Sequence, residues 1–309
     1  DENNKKWIVS ISTPKASYNT YSIRVSDSYG IFSKKFDNIS FGKVWMFAGE
    51  AINYSTTLEL DKGSANIKYN IDNEWVDTST NNLIVEFAHK MKEKHNMPIG
   101  IINVLEEQSE ISSWIPLNTI KEVNNLKNYL IENDKYTESF SSSKDMSYIF
   151  ENIISKYRGM TLETCIFNHG MNDLDKLEDK DYFNYYFLSY VHIVSEFNNN
   201  FNNSPVKIIG APSDNNDNVV KLRDIQNTAS NYFSFSELIP TFDLNELNEE
   251  GNVVTFDLNV LVNRIISVCN DEINFSSSDD ELIEIRTFNR ICSFYEVLKL
   301  AKEKANKKK

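Results

Sequence analysis

Phe41-Gly42-Lys43-Val44-Trp45-Met46-Phe47-Ala48-Gly49-Glu50-Ala51 is the stretch on which the fold turns. Its apolar residues run unbroken from Val44 to Ala48, between glycines at 42 and 49. A short apolar run bounded by turn residues reads as a strand buried on both faces, the kind that builds parallel sheets. Ile99–Ile102, Thr164–Phe167 and Val206–Ile209 repeat the pattern, and a weaker fifth run lies near Phe233–Ile239. Amphipathic segments separate them: Leu83–Lys94, Thr119–Glu132, Tyr182–Phe197 and Val219–Tyr232. In the second, Ile120, Val123, Leu126 and Leu130 share one helical face; in the third, Phe183, Tyr186, Phe187, Tyr190 and Val194 do so. Such stripes read as core rather than as cofactor contacts.

Alternation of this kind predicts an α/β fold: a doubly wound, flavodoxin-like parallel sheet of five strands with helices on both faces. Right-handed crossovers bring the carboxyl ends of all its strands to one edge, where ligands of such sheets bind. The candidate site residues are therefore those that follow the strands at 44–48, 99–102 and 164–167.

Upstream of Gly42 the character differs. Trp7-Ile8-Val9, Tyr21-Ser22-Ile23-Arg24-Val25 and Ile31-Phe32 alternate or run briefly, interrupted by Asp27-Ser28-Tyr29-Gly30. This reads as antiparallel strands joined by a turn. The division expected is a β-rich lead-in over residues 1–41 and an α/β domain over 42–309. Asn133–Lys144 and Asp271–Asp280 read as polar surface loops, and Lys299–Lys309 as a fraying basic helix end.

Composition narrows the function. A net charge of −13 argues against nucleic acid and against adsorption to anionic lipid. No apolar run reaches the roughly 18 residues of a membrane span, and Asp1-Glu2-Asn3-Asn4-Lys5-Lys6 has no signal-like apolar stretch behind it. Of Cys165, Cys269 and Cys292, the last two could pair, and a fully reduced state is equally compatible. Sequons at Asn38, Asn53, Asn202 and Asn274 are what chance supplies in so Asn-rich a chain. No phosphate-binding glycine motif and no Cys or His pair at zinc spacing occurs, so neither cofactor nor metal is expected.

Three blocks carry a resemblance. Phe41–Asn53 resembles the opening G-[DE]-V-W-L-C-S-G-Q-S-N-M of sialate O-acetylesterases, a carbohydrate esterase group of the SGNH hydrolase superfamily. Met97-Pro98-Ile99-Gly100-Ile101-Ile102-Asn103, followed by Ile111-Ser112-Ser113-Trp114-Ile115-Pro116, is similar to their V-P-I-G-L-I-N block and the tryptophan after it. Phe167-Asn168-His169-Gly170-Met171-Asn172-Asp173 resembles their W-Y-Q-G-E-S-N. The lead-in from Trp7 to Ser40 and the helix Leu222-Arg223-Asp224-Ile225-Gln226 add to the likeness, which reaches from Trp7 to about Ile266.

The resemblance implies where a serine nucleophile, its histidine base, an orienting aspartate and an oxyanion hole should stand. The nucleophile position falls on Ala51, after Gly49 and Glu50, and a methyl group has neither lone pair nor proton to lose. Ser55 lies beyond the strand-end turn that would aim it. Where the second block supplies an oxyanion glycine, this chain has Glu106, Glu107 and Gln108, whose carboxylates would oppose developing negative charge. Gly170-Met171-Asn172-Asp173 fits G-x-N-D, which makes Asn172 an oxyanion donor; a gapless match to G-E-S-N puts Asp173 there instead, and Asn172 is then a capping turn residue. Asn252 and Val254 stand against the triad aspartate and histidine, and none of His89, His95, His169 and His192 lies beyond residue 192. His169 reads as a hydrogen-bonded structural residue.

The expectation is a pseudoenzyme that acts as an interaction or scaffold module, within a larger assembly or beside further domains. The alternatives are a binder of neutral glycans in the old cleft, or an esterase rebuilt around His169, Asp173 and Glu106 or Glu107. The cleft is expected to be acidic, through Glu50, Glu106, Glu107 and Asp173. The resemblance also implies a secreted or lumenal location.

Overall fold

The computed structural model describes residue 12 and residues 14–51, 66–117, 121–133, 147–212, 216–247 and 253–270, apart from positions 28, 30, 73, 78, 242 and 243. Its centre is a seven-stranded sheet. In chain order the strands are β3 (Lys43–Gly49), β4 (Ile67–Ile71), β5 (Glu74–Val76), β6 (Ile99–Leu105), β7 (Thr164–Asn168), β8 (Val206–Ile209) and β9 (Ser236–Ile239). They lie in the order β5-β4-β6-β3-β7-β8-β9, all parallel to their neighbours except β5, which pairs antiparallel with β4. The five strands expected from apolar runs are β6-β3-β7-β8-β9, whose sequence ranks across the sheet read 2-1-3-4-5, the flavodoxin-like order.

The fold class is as expected, but the sheet is wider by two strands. Ile67-Lys68-Tyr69-Asn70-Ile71 has no continuous apolar run, yet Asn70 is buried because its Oδ1 accepts from the Tyr157 hydroxyl at 2.7 Å. A satisfied buried amide lets a mixed sequence serve as an interior strand.

Alternation along β3 divides the core. Met46 and Ala48 face the layer that holds α2 (Lys121–Glu132), α4 (Lys180–Asn200) and α5 (Asn218–Tyr232). Trp45 and Phe47 face α1 (Asn82–His95) and α6 (Leu258–Cys269). All four expected helices are present over nearly their expected bounds. The start of the second, including Ile120, lies outside the described residues. Caps explain two of the starts: the Asn81 side chain accepts from the Ile84 N–H, and that of Asp179 from the Asp181 and Tyr182 N–H groups.

The described part of the lead-in is one antiparallel hairpin, β1 (Ser17–Ser26) with β2 (Ser33–Phe41). A further two-stranded sheet joins β10 (Asn245–Leu247) to β11 (Val253–Phe256). α3 is the short Tyr148–Asn152 helix. Trp7-Ile8-Val9, the loop at 271–280 and the basic tail lie outside the described residues, as does Cys292 with its suggested pairing to Cys269.

Candidate active site at the carboxyl edge of the sheet

The parallel register brings three loops together. Gly49 stands opposite Leu105 on one side and Asn168 on the other. The chain then bends sharply at Gly49, whose φ is +113°. A Cβ there would lie 1.8 Å from the Asn168 carbonyl oxygen, so only glycine fits this close approach. The Glu106 N–H donates to the Gly49 carbonyl at 2.8 Å, and the Glu50 N–H to the Asn168 carbonyl at 2.6 Å. The Asn168 amide returns a bond to the Glu50 carbonyl at 2.9 Å. The turn at Glu50-Ala51, the loop starting at Glu106 and the loop 169–173 thus share one edge, at the switch point between β3 and β7.

Glu50 points inward. Its Oε1 accepts from the N–H groups of Gly170 at 2.9 Å and Asn172 at 3.2 Å, and its Oε2 accepts from that of Met171 at 2.9 Å. These are N–H groups at the head of the 3-10 helix Met171–Glu178, so a carboxylate from a distant strand caps this helix. Burial raises the Glu50 carboxyl to about 7; the Gly170 N–H opposes that, and the nearby Asp173 carboxyl adds to it.

His169 is buried beside it. Its Nδ1 lies 3.1 Å from the Tyr186 hydroxyl, and its ring stacks on Phe167 with 5.8 Å between centroids. Its Nε2 lies 3.7 Å from Glu50 Oε1, beyond hydrogen-bond range. Burial holds the imidazole down to about 3, so it is neutral and the contact with Glu50 is not an ion pair. Asp173 Oδ2 accepts from the Ile111 N–H at 2.9 Å, and its Oδ1 accepts from the Tyr182 hydroxyl. Burial lifts this carboxyl to about 6 against the pull of Tyr182, Lys176 and the Ile111 N–H.

Glu50, His169 and Asp173 each offer a ligand atom within 4.8 Å of the others. They could contribute to a cation site, but both carboxylates are already occupied by backbone or hydroxyl donors. The arrangement works as a closed polar network that ties β3 to the 169–173 loop, the 111–114 turn and α4. Gly170 completes it with φ +136°; a Cβ there would lie 2.3 Å from a Leu222 methyl group. Gln226 on α5 donates to the His169 carbonyl at 3.1 Å and accepts from the Ala211 N–H at 2.7 Å.

Several expected site residues therefore lie elsewhere than in a cleft. Glu50, His169 and Asp173 are buried, so they lend no negative charge to the surface, and the expected acidity of the cleft is corrected in that respect. The Glu50 carboxyl turns inward where three N–H groups lie within reach, and their bonds offset part of the cost of its burial. Glu107, Gln108 and Asn172 are exposed, Glu106 and Ala51 partly so. Burial, with a smaller push from Asp72, raises the Glu106 carboxyl. The Asn172 N–H is committed to Glu50. Val254 lies in β11, outside the large sheet, and Asn252 and Ser55 fall outside the described residues. The motifs do not mark Tyr182 and Tyr186, which bind Asp173 and His169; their spacing of four on α4 is a signal that also fits plain core.

A scan against protein-family models finds no match, and a search of curated proteins finds none. Solved structures do resemble the chain. A carbohydrate acetylesterase from Xanthomonas citri superposes with a TM-score of 0.61 at 12% identity, over 86% of this chain and 65% of that one. A family two carbohydrate esterase from Clostridium thermocellum, solved with cellohexaose, aligns more loosely, with a TM-score of 0.41 at 12% identity over 77% of this chain and 67% of that one. The chain thus spans 65% of the length of the Xanthomonas esterase. At this identity the likeness is one of fold: the chain shares the mixed α/β architecture, with its mostly parallel sheet, of the Xanthomonas esterase.

Proposed function

We propose that this chain is a carbohydrate-esterase fold that has given up ester hydrolysis and serves as an interaction or scaffold module. The observation that carries this reading is the turn after β3. Ala51 follows Gly49 and Glu50 there, and Glu50 takes up the N–H groups of residues 170–172 with its own carboxyl group. Acyl transfer needs a nucleophile and free donors aimed at the oxyanion. Here the nucleophile position is a methyl group and those three donors already bond an internal carboxyl group. The histidine in the loop is buried and neutral, with its Nδ1 beside a tyrosine hydroxyl. The fold likeness to esterases suggests an extracytoplasmic setting for such a module.

The test is hydrolysis by the purified chain of p-nitrophenyl acetate, 9-O-acetyl sialic acid and acetylated xylan. The expected rate equals that of the protein-free control. Turnover that follows the protein through successive purification steps at constant specific activity overturns the reading in favour of a rebuilt site.

A further inference from the structure

A second concavity lies at the opposite edge of the sheet, where β3, β4 and β6 begin. It encloses about 720 Å³, within the roughly 300–1,000 Å³ typical of ligand clefts. One wall is β2 of the hairpin, with Phe36 and Asn38. The floor is the start of β3, β4 and β6, and the far wall is β5, with Trp75 and Asp77.

Trp75 is 46% exposed and Phe36 44% exposed, high values for rings that line a cavity. The indole is held in place. A Cβ on Gly100 would come within 3.2 Å of Trp75 Cη2, so glycine at 100 leaves the ring room to lie close over the sheet. An aromatic ring fixed by packing and left open to solvent costs little conformational entropy on binding.

Most of the charged groups around it are paired, and the Lys34 ammonium lies over the Phe36 ring at 5.0 Å. Lys68 pairs with Asp77 across β4 and the end of β5. Asp37 pairs with Lys35 at 2.6 Å, and Lys43 with Glu163 at 2.9 Å. Asn38 and Asn66 add amides that both donate and accept. An anion or a cation would have to compete with these pairs. A neutral polyhydroxyl ligand would not, because hydroxyls bond to carboxylates, ammonium groups and amides alike. Its C–H face would lie against the Trp75 indole, with the Phe36 ring beside it.

We infer that this groove binds a neutral carbohydrate chain, with Trp75 as its stacking platform and Asp77, Lys68 and Asn66 as its hydroxyl partners. The site is separate from the edge that carries Ala51, and it does not depend on whether the chain hydrolyses esters.

Affinity electrophoresis of the whole chain through gels containing xylan, mixed-linkage β-glucan, galactomannan or dextran tests this, with polygalacturonate as the charged control. Retardation is expected in at least one neutral gel, and less in polygalacturonate. Trp75→Ala and Phe36→Ala should each weaken it about tenfold, the loss of roughly 1.4 kcal/mol of stacking, with far-ultraviolet circular dichroism unchanged. Absence of retardation in all four neutral gels overturns the proposal. So does retardation that both folded variants retain, which would locate carbohydrate binding elsewhere, or a preference for polygalacturonate. Ester hydrolysis is measured on the same samples and should not respond to either substitution.

Discussion

Glu50 and Gly170 are 120 residues apart in sequence, yet the Glu50 carboxylate accepts the Gly170 N–H at 2.9 Å. With the Met171 and Asn172 bonds, this turns the head of a helix into a receptor for the protein's own carboxyl group. An oxyanion formed near the same N–H groups would meet a neighbouring carboxylate instead of free donors.

Ala51→Ser is therefore expected to confer no ester hydrolysis beyond that of wild type. A serine hydroxyl without a base stays protonated at neutral pH, and restoring one member of a catalytic set recovers little. The measurement is p-nitrophenyl acetate hydrolysis by wild type and variant side by side. Clear deacetylation by the single variant would reveal a base that the described residues do not supply.

Glu50 should make the protein less stable as pH rises. Its carboxyl titrates near 7 in the folded chain against 4.5 ordinarily, so between those values the unfolded state loses a proton that the folded state keeps. Stability attributable to Glu50 falls across that window and levels off above it, by on the order of 3 kcal/mol. Asp173, lifted to about 6, acts in the same sense at lower pH. His169, held down to about 3, opposes both below pH 6.5, because there the unfolded state gains a proton that the folded state refuses. Wild type alone would mix these effects, so the check is Glu50→Gln against wild type. Denaturant unfolding from pH 4.5 to 8 should show the variant gaining relative stability as pH rises to about 7. A pH-independent difference would mean that Glu50 is ionised throughout.

Gly49→Ala and Gly159→Ala should differ sharply. Both glycines have positive φ, but a Cβ at 49 would meet the Asn168 carbonyl at 1.8 Å, whereas one at 159 meets nothing within 4 Å. The second substitution should cost about 1–2 kcal/mol, the left-handed penalty alone. The first adds a backbone clash between β3 and β7 and should cost at least twice as much. Thermal unfolding of the two variants makes the comparison.

Cys165 should resist thiol reagents in the native state. It is fully buried in β7, and burial pushes its thiol far above the ordinary value. Titration with a chromogenic disulfide should find fewer reactive thiols in native than in denatured wild type, and Cys165→Ala should shrink that difference by one. Rapid native labelling of Cys165 would show that β7 opens readily.

Much of the fold was legible because its signals are local. Four apolar runs and a weaker fifth gave the central strands, and helical stripes gave α1, α2, α4 and α5, since periodicity needs only neighbours in sequence. β4 escaped this reading because Asn70 is tolerated only through Tyr157, 87 residues away. The pieces of the candidate site were also visible: Gly49, Glu50, Ala51, His169, Gly170, Asn172 and Asp173 all follow strands that meet at one edge. The sequence alone established that residue 51, where the resemblance expects a nucleophile, is an alanine without a hydroxyl, because covalent chemistry depends on residue identity. Only the tertiary structure decided that Glu50, His169 and Asp173 face inward. The direction of a polar side chain follows from the donors within reach, and here those come from loops that only the parallel sheet brings together.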